Sequence, residues 1–166
     1  MSTKIQLRQE IMKSDALRIA DWLEEVSVIQ YLNEELNVSD SIRQTIARVN
    51  MPILTPLFNR NCSFFIITNQ EQPVGFLRLV PSGDISEIVV VIGDTENWSK
   101  GFGYKAILHG LNHAFFTLRK KRVVARIHDD NVRSQRAFRK AGFIREKDYN
   151  TGTQFYISVE QFLKLA

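Results

Sequence analysis

The sequence predicts a mixed α/β domain of α+β character, a mostly antiparallel sheet flanked by helices, with residues 1–166 forming one domain. Three observations predict it. Between Ser63 and Ile92, three apolar runs are separated by connections short enough for hairpins and too short for crossover helices. Before them, apolar residues recur at helical spacing. After Gly101, helix-type and strand-type patterns alternate, as elements returning to a single sheet do. A chain of this length buries roughly 70% of the surface it exposes when unfolded, enough for one core.

The elements follow in order. Ile5-Gln6-Leu7-Arg8 alternates as a strand does, and Ser14-Asp15 precedes a helix carrying Ala16, Ile19, Ala20, Trp22 and Leu23, with Ser14 as its N-cap. The stretch from Val26 to Val38 is a loop or short helix. A further helix starts near Ser39 or Asp40, carries Ile42, Ile46 and Val49, and stops before Pro52. The strands of the central meander are Ser63 to Thr68, Val74 to Val80 and Ile85 to Ile92, with turns at 69–73 and 81–84. From Gly101 to about Arg119, residues Ala106, Ile107, Leu108, Leu111, Ala114, Phe115 and Leu118 form a wide apolar stripe. Val123 to Ile127 is a buried strand, and Asn131 to Ala141 a helix ended by Gly142 in a left-handed position. Strands near Phe143–Tyr149 and Gln154–Val159 complete the sheet.

Composition narrows the function classes. Hydrophobic residues at 44% and charged residues at 24% are ordinary for a globular protein, and no run approaches the roughly 18 apolar residues of a membrane span. We therefore expect a cytoplasmic protein with no membrane partner. The lone Cys62 cannot form an intrachain disulfide or a thiolate metal cluster and is expected in the core. A net charge of +4 suits an anionic ligand. The densest basic run, Arg119-Lys120-Lys121-Arg122, has no interleaved aromatics, so it reads as a helix C-terminus and not as a nucleic-acid surface. His109 and His113 have the spacing of a zinc pair but no glutamate between them and no evident third ligand, so no metal is expected.

The segment richest in chemistry runs from Glu87 to Ala106. An apolar strand ending at Ile92 leads through a polar loop to Trp98-Ser99-Lys100-Gly101-Phe102-Gly103-Tyr104, where a helix opens. Glycines at a helix start admit close approach of a ligand to the backbone, and the unpaired N–H groups with the helix dipole attract phosphate. Lys100 adds a cation. A Rossmann fingerprint is excluded: it needs its first glycine at the strand end and an acidic residue about 20 positions later, and here Lys121-Arg122-Val123-Val124 stands there.

Two patterns in this order carry a family resemblance. One is Ile92-Gly93-Asp94 followed by Trp98-Ser99-Lys100-Gly101-Phe102-Gly103 and Ala106. The other is Asn131-x-x-Ser134 followed by Phe138-Arg139-Lys140-Ala141-Gly142-Phe143. From Glu87 to Phe143 the chain resembles the core of the GNAT N-acetyltransferases, particularly the branch of ribosomal-protein N-terminal acetyltransferases and related aminoglycoside and polyamine enzymes. The resemblance implies a splayed mixed sheet and acetyl-CoA as cofactor. It places the pantetheine between the fourth and fifth strands, against Val91 and Ile92, and the pyrophosphate on the amides from Ser99 to Tyr104. Asn131 would bind the cofactor arm. The first 60 residues match loosely, and in this family that region shapes the acceptor pocket. Two positions depart from the family pattern. Trp98 stands where an Arg or Gln is usual, and Phe138 stands where many members carry a tyrosine thought to protonate the leaving thiolate.

N-acetyl transfer needs a neutral amine, a stabilised oxyanion and a thiolate able to leave. An α-amino group with a pKa of about 7.7–8.0 is neutralised at pH 7 for about 1 kcal/mol, a lysine at about 10.4 for between 4 and 5. Ser134 is the expected hydrogen-bond donor to the leaving sulfur, Glu87 the expected base, and a backbone N–H near Val91 the oxyanion donor. The expected acceptor is a primary amine, on a protein N-terminus or a small molecule, attacking directly in a ternary complex. A GNAT-like acyl-CoA-binding module without turnover is the alternative that Phe138 motivates. Monomer and homodimer are both compatible with the sequence.

Overall fold

The computed structural model describes residues 3–32 and 38–165. One seven-stranded sheet organises them: β1 (Ile5–Arg8), β2 (Ser63–Asn69), β3 (Gln72–Ser82), β4 (Ile85–Ile92), β5 (Arg122–His128), β6 (Ile144–Tyr149) and β7 (Gly152–Ser158). The order across it is β1-β2-β3-β4-β5-β7-β6, antiparallel everywhere except between β4 and β5. The expected meander is present, with tighter turns than expected. Asn69 pairs with Gln72, so Gln70 and Glu71 alone make the first turn, both at positive φ (51° and 71°), the geometry that matches the twist of the flanking strands. Pro73 therefore falls inside β3, at the register shift opposite Ile67 and Thr68, where a missing N–H costs no regular ladder bond.

Helices cover both faces. On one, α5 (Phe102–Asn112) buries Phe102, Ala106, Ile107 and Leu111 against Leu77, Leu79 and Ile88, and α6 (Val132–Lys140) adds Phe138 beside Ala125, Ile127 and Phe155. On the other, α1 (Lys13–Trp22) and α2 (Val26–Ile29) bury Ile19, Trp22 and Val28 against Phe64, Ile66, Phe76 and Val91. The remaining helices are α3 (Val38–Arg48), α4 (Thr55–Phe58) and α7 (Val159–Leu165). The short α4 and α7 leave too few periods to be read from sequence.

Three expectations change in detail. The first helix starts at Lys13, and Ser14 lies inside it; the Asp15 carboxylate accepts the Met12 N–H at 2.9 Å and pairs with Arg8 at 2.9 Å, closing the helix start from within. The long helix after Gly101 is α-helical only to Asn112, and His113–Thr117 continue it as a π-turn in which the Leu118 N–H reaches the His113 carbonyl at 2.9 Å. Cys62 is half-buried at the edge of the second core, its thiol donating to the Phe58 carbonyl at 3.4 Å. The basic run is spent within the fold. Lys120 Nζ donates to the Gly83 carbonyl at 2.7 Å, Lys121 lies 3.6 Å from Asp84, and Arg122 3.1 Å from Glu146. Among the described residues, no helix is long and apolar enough to cross a membrane.

The feature that positions the site is a partial strand pairing. β4 and β5 pair only at Ile85 with Arg122, Ser86 with Val123 and Glu87 with Val124. Beyond Glu87 the strands diverge, and the upper half of β4 presents an unpaired edge to the gap.

Candidate active site

The gap continues into a cavity of about 480 Å³ walled by β4, the loop after it, the start of α5 and the inner face of α6. Its floor is set by strand alternation. The Gly93 N–H donates to the Val74 carbonyl at 2.8 Å, on the β3 side, so the amide of Val91 also faces β3 and those of Val90 and Ile92 face the gap. The Val91 side chain itself lines the cavity, and the gap-facing amides near it are those of its neighbours Val90 and Ile92. The Ile92 carbonyl accepts Trp98 Nε1 at 3.0 Å, which ties the loop back over the strand end.

Gly101 is the N-cap of α5, at φ +81°, a left-handed conformation suited to glycine, and Ser99 just before it is also left-handed at φ +62°. No side chain caps this helix, so the N–H groups of Phe102, Gly103 and Tyr104 point out of the first turn without a capping acceptor. The space around both glycines of this turn is open. A Cβ on Gly101 would meet nothing within 4 Å, and one on Gly103 only the Ile92 Cγ1 at 4.0 Å. Gly103 has helical φ and touches nothing that would exclude a methyl group, so internal packing does not account for a residue that weakens a helix by up to about 1 kcal/mol.

Opposite, α6 is capped by Asn131, whose Oδ1 accepts the Ser134 N–H at 3.3 Å. Gln135 Nε2 donates to the carbonyls of His128 and Asp129 at 3.1 and 2.9 Å, locking the β5–α6 corner. Ser134 and Phe138 face the cavity one turn apart; the Phe138 ring packs edge-on to Phe143 at 5.0 Å and brings no hydroxyl. Arg133, Arg136 and Lys140 also line the cavity, at a spacing that puts cations along one side of α6. Sequence reading missed them, though i, i+3, i+7 spacing was there to find.

The indole at position 98 is met by a cation from α6. The Arg133 guanidinium lies 3.4 Å from the Trp98 ring centroid, a stacking worth about 0.5–2 kcal/mol. Burial draws the Arg133 pKa down and the nearby Tyr31 draws it up; an arginine stays charged under either influence. Lys140 Nζ stands 4.4 Å from the Tyr104 ring in the same way. The near end of the cavity is closed by α2 and the residues after it, Ser27, Val28, Tyr31 and Leu32. Tyr31 reaches across to stack on His128 at 4.9 Å, while the Asp130 N–H donates to His128 Nδ1 at 3.1 Å, which places the neutral ring's proton on Nε2.

Of the residues expected from sequence, Val91, Ile92, Trp98, Ser99, Gly101, Phe102, Gly103, Tyr104, Asn131, Ser134 and Phe138 line this one cavity. Two do not. The ammonium of Lys100 turns outward, 6.0 Å from the Phe102 ring. Glu87 sits at the foot of the gap, in the last pair before β4 and β5 part, half-buried on the face of Val89 and Val91.

The Acetyltransferase (GNAT) domain model matches residues 5–144. Among solved structures, the chain resembles a domain from Methanocaldococcus jannaschii DSM 2661 at 20% identity, covering 95% of this chain and 100% of that one, with a TM-score of 0.76. It resembles spermidine N-acetyltransferase from Vibrio cholerae, solved with CoA and spermine, at 17% identity and coverages of 96% and 98%, TM-score 0.77. A third match is the aminoglycoside acetyltransferase AAC(6')-Ib in complex with coenzyme A, at 16% identity and 98% of both chains, TM-score 0.76. No curated protein matches in sequence. The chain belongs to the GNAT acetyltransferase family; its reaction class is N-acetyl transfer and its donor acetyl-CoA. The uncapped α5 start, the space at Gly101 and Gly103, and the cations of α6 fit that donor's phosphates, and the unpaired edge of β4 fits its amide-bearing arm.

Proposed function

We propose that this chain acetylates a primary amine, on a protein N-terminus or a small molecule, by direct attack in a ternary complex. The observation that carries the proposal is the opening between β4 and β5 above Glu87 and Val124, continuous with a cavity whose far end is the amide cradle of α5. Acetyl-CoA, when bound, supplies an acetyl group activated as a thioester.

The residues then divide the work. The amides of Phe102, Gly103 and Tyr104 with Arg133, Arg136 and Lys140 hold the phosphates, and Asn131 and the β4 edge align the arm. The gap-facing amides of Val90 and Ile92 are oriented to donate to a developing oxyanion; such donors, fixed before reaction, contribute about 3–4 kcal/mol. Ser134 offers its hydroxyl on the α6 wall, where Phe138 offers none, and a thiol of pKa about 8.5 leaves with a hydrogen-bond donor alone. Glu87 accepts the amine proton at the foot of the gap, directly or through water. Trp98 at the loop position is what supports the ribosomal-protein N-terminal branch.

The test is release of free thiol from acetyl-CoA over a panel of peptides with free N-termini, amino acids, polyamines and aminoglycosides. Turnover on at least one primary amine is expected. Tight acetyl-CoA binding with no thiol release across the panel would refute the proposal and return the non-catalytic alternative.

A further inference from the structure

On the face away from α5, the sheet beyond β4 carries a polar row. Paired residues share a face, so Glu87 with Val124, Val124 with Tyr156, and Arg126 with Gln154 all present their side chains there. A ladder of hydrogen bonds fixes the row. Arg122 donates to Glu146 Oε2 at 3.1 Å, Gln154 Nε2 donates to the same oxygen at 3.3 Å, and Arg126 Nε donates to Gln154 Oε1 at 3.1 Å. Arg122 is also stacked on Tyr156, 4.1 Å from the ring. Glu146 thus neutralises Arg122, whereas Arg126 is held by a buried neutral amide, and no described carboxylate forms an ion pair with it.

The position of this cation is what matters. Arg126 lies two residues beyond Val124, the last β5 residue paired with β4, so it stands at the lip of the opening on the same face as Glu87. Strand spacing and rise put the two Cα atoms about 8 Å apart, or more as the strands splay. The Tyr149 hydroxyl feels both: burial raises its pKa, Arg126 opposes, and Asp129 and Glu87 add to the rise. An anionic and a cationic side chain therefore flank the place where the amine must enter. A polycation would bring like charge against Arg126, and a plain monoamine would leave its guanidinium without a partner from the ligand.

We propose that the acceptor carries a carboxylate within a few bonds of its amine, as a free amino acid or a peptide N-terminus followed by an acidic side chain does, and that Arg126 determines this specificity by holding that carboxylate. The proposal rests on the transferase reading and fails separately from it.

The experiment compares matched acceptors with the full chain and acetyl-CoA, following thiol release: alanine against ethylamine, a peptide with Asp at its second position against one with Asn, and spermidine. A preference of at least about tenfold in kcat/KM for one or both carboxylate-bearing members is expected, the size of one charge-assisted hydrogen bond, and which pair shows it identifies the source. Arg126→Gln should abolish that ratio through KM, and Arg126→Lys should restore part of it; acetyl-CoA affinity by calorimetry serves as the folding control. Preference for spermidine or ethylamine, or an undiminished ratio in Arg126→Gln, overturns the proposal. Absence of thiol release with every amine would instead overturn the transferase reading on which it stands.

Discussion

Replacing Gly103 by alanine separates what the fold wants at this position from what the ligand wants. The added Cβ would find only the Ile92 Cγ1, at 4.0 Å, an ordinary contact. The backbone there is already helical, so the variant should gain up to about 1 kcal/mol from helix propensity. For a domain of this size that is a rise of about 2–4 °C in the unliganded Tm. The same methyl group projects from the first turn into the cradle and moves a phosphate off one N–H group. Hydrogen bonds to a charged partner contribute about 1.5–3 kcal/mol each, so acetyl-CoA should bind roughly 10- to 100-fold more weakly. Calorimetry reads the affinity directly. Thermal shift gives an independent check, because ligand at 100 times the parent Kd stabilises the parent by about 2.7 kcal/mol and a variant binding tenfold more weakly by about 1.4. A variant that is more stable when empty and stabilised less by ligand is the expected signature. Unchanged affinity would refute the placement of the phosphates at the α5 start.

Three further substitutions test other parts of the assignment. Ser134→Ala should lower kcat by about 10-fold or more while leaving acetyl-CoA affinity within a few-fold, as loss of a proton donor does; equal turnover in a stopped-time thiol assay would remove Ser134 from the chemistry. Glu87→Gln should cost about 10²–10⁴ in kcat with a lysine-like acceptor and less with an α-amine, because the more basic amine depends more on a base; an equal loss on both would make Glu87 a binding group. Asp15→Asn should destabilise by about 1–3 kcal/mol, since Asp15 is 4% exposed and its partner Arg8 partly solvated. Burial pushes the Asp15 carboxyl up, but hydrogen bonds from Arg8 and the Met12 N–H and the Arg8 charge pull it below its usual range. With the folded pKa below the unfolded one, the stabilisation is present above about pH 4 and fades as pH falls through the folded value. Urea midpoints at pH 7 and pH 3 should therefore differ less in the variant than in the parent, and an equal difference would refute the coupling.

The legible parts of the chain are those where one physical signal acts alone. Period-two alternation and two-residue turn spacing made the meander readable to within a few residues, and the apolar stripe after Gly101 marked α5 because nothing else competes for those positions. The glycine-marked start of α5 was readable because glycines at a helix start have a narrow set of uses. Less legible was whatever depends on which residue faces which neighbour. The sequence points to an amide near Val91 without saying which one, because the hydrogen bond from Gly93 to Val74 sets the parity and no sequence pattern records that bond. Ser14 looked like a cap until Asp15, already paired with Arg8, took the Met12 N–H. The cations of α6 were not read as cavity residues because a basic helix is usually a solvated one; they are indeed exposed, and it is the Trp98 ring beneath Arg133 and the cavity they border that distinguish them.

Trp98 and Phe138, the two departures from the family pattern, both bear on the α6 wall. An indole at position 98 gives the loop no charge, but it gives α6 a flat surface to rest on, and Arg133 lies against it. Phe138, about one and a half turns further along, packs against Phe143 within the core and holds the same helix in place from its other end. With both ends held by rings, the stretch between them, including Ser134 and Arg136, keeps its side chains toward the cavity without a polar contact at position 138. Restoring a hydroxyl there by Phe138→Tyr would therefore test more than acid catalysis. The ring is 4% exposed, so a new hydroxyl directed into the core would go unsatisfied and cost about 1–3 kcal/mol, whereas one directed into the cavity would cost little. A variant as stable as the parent and faster in turnover would mean that Ser134 is a partial substitute for the missing tyrosine; one that is destabilised and no faster would mean that the wall is built around the phenyl ring.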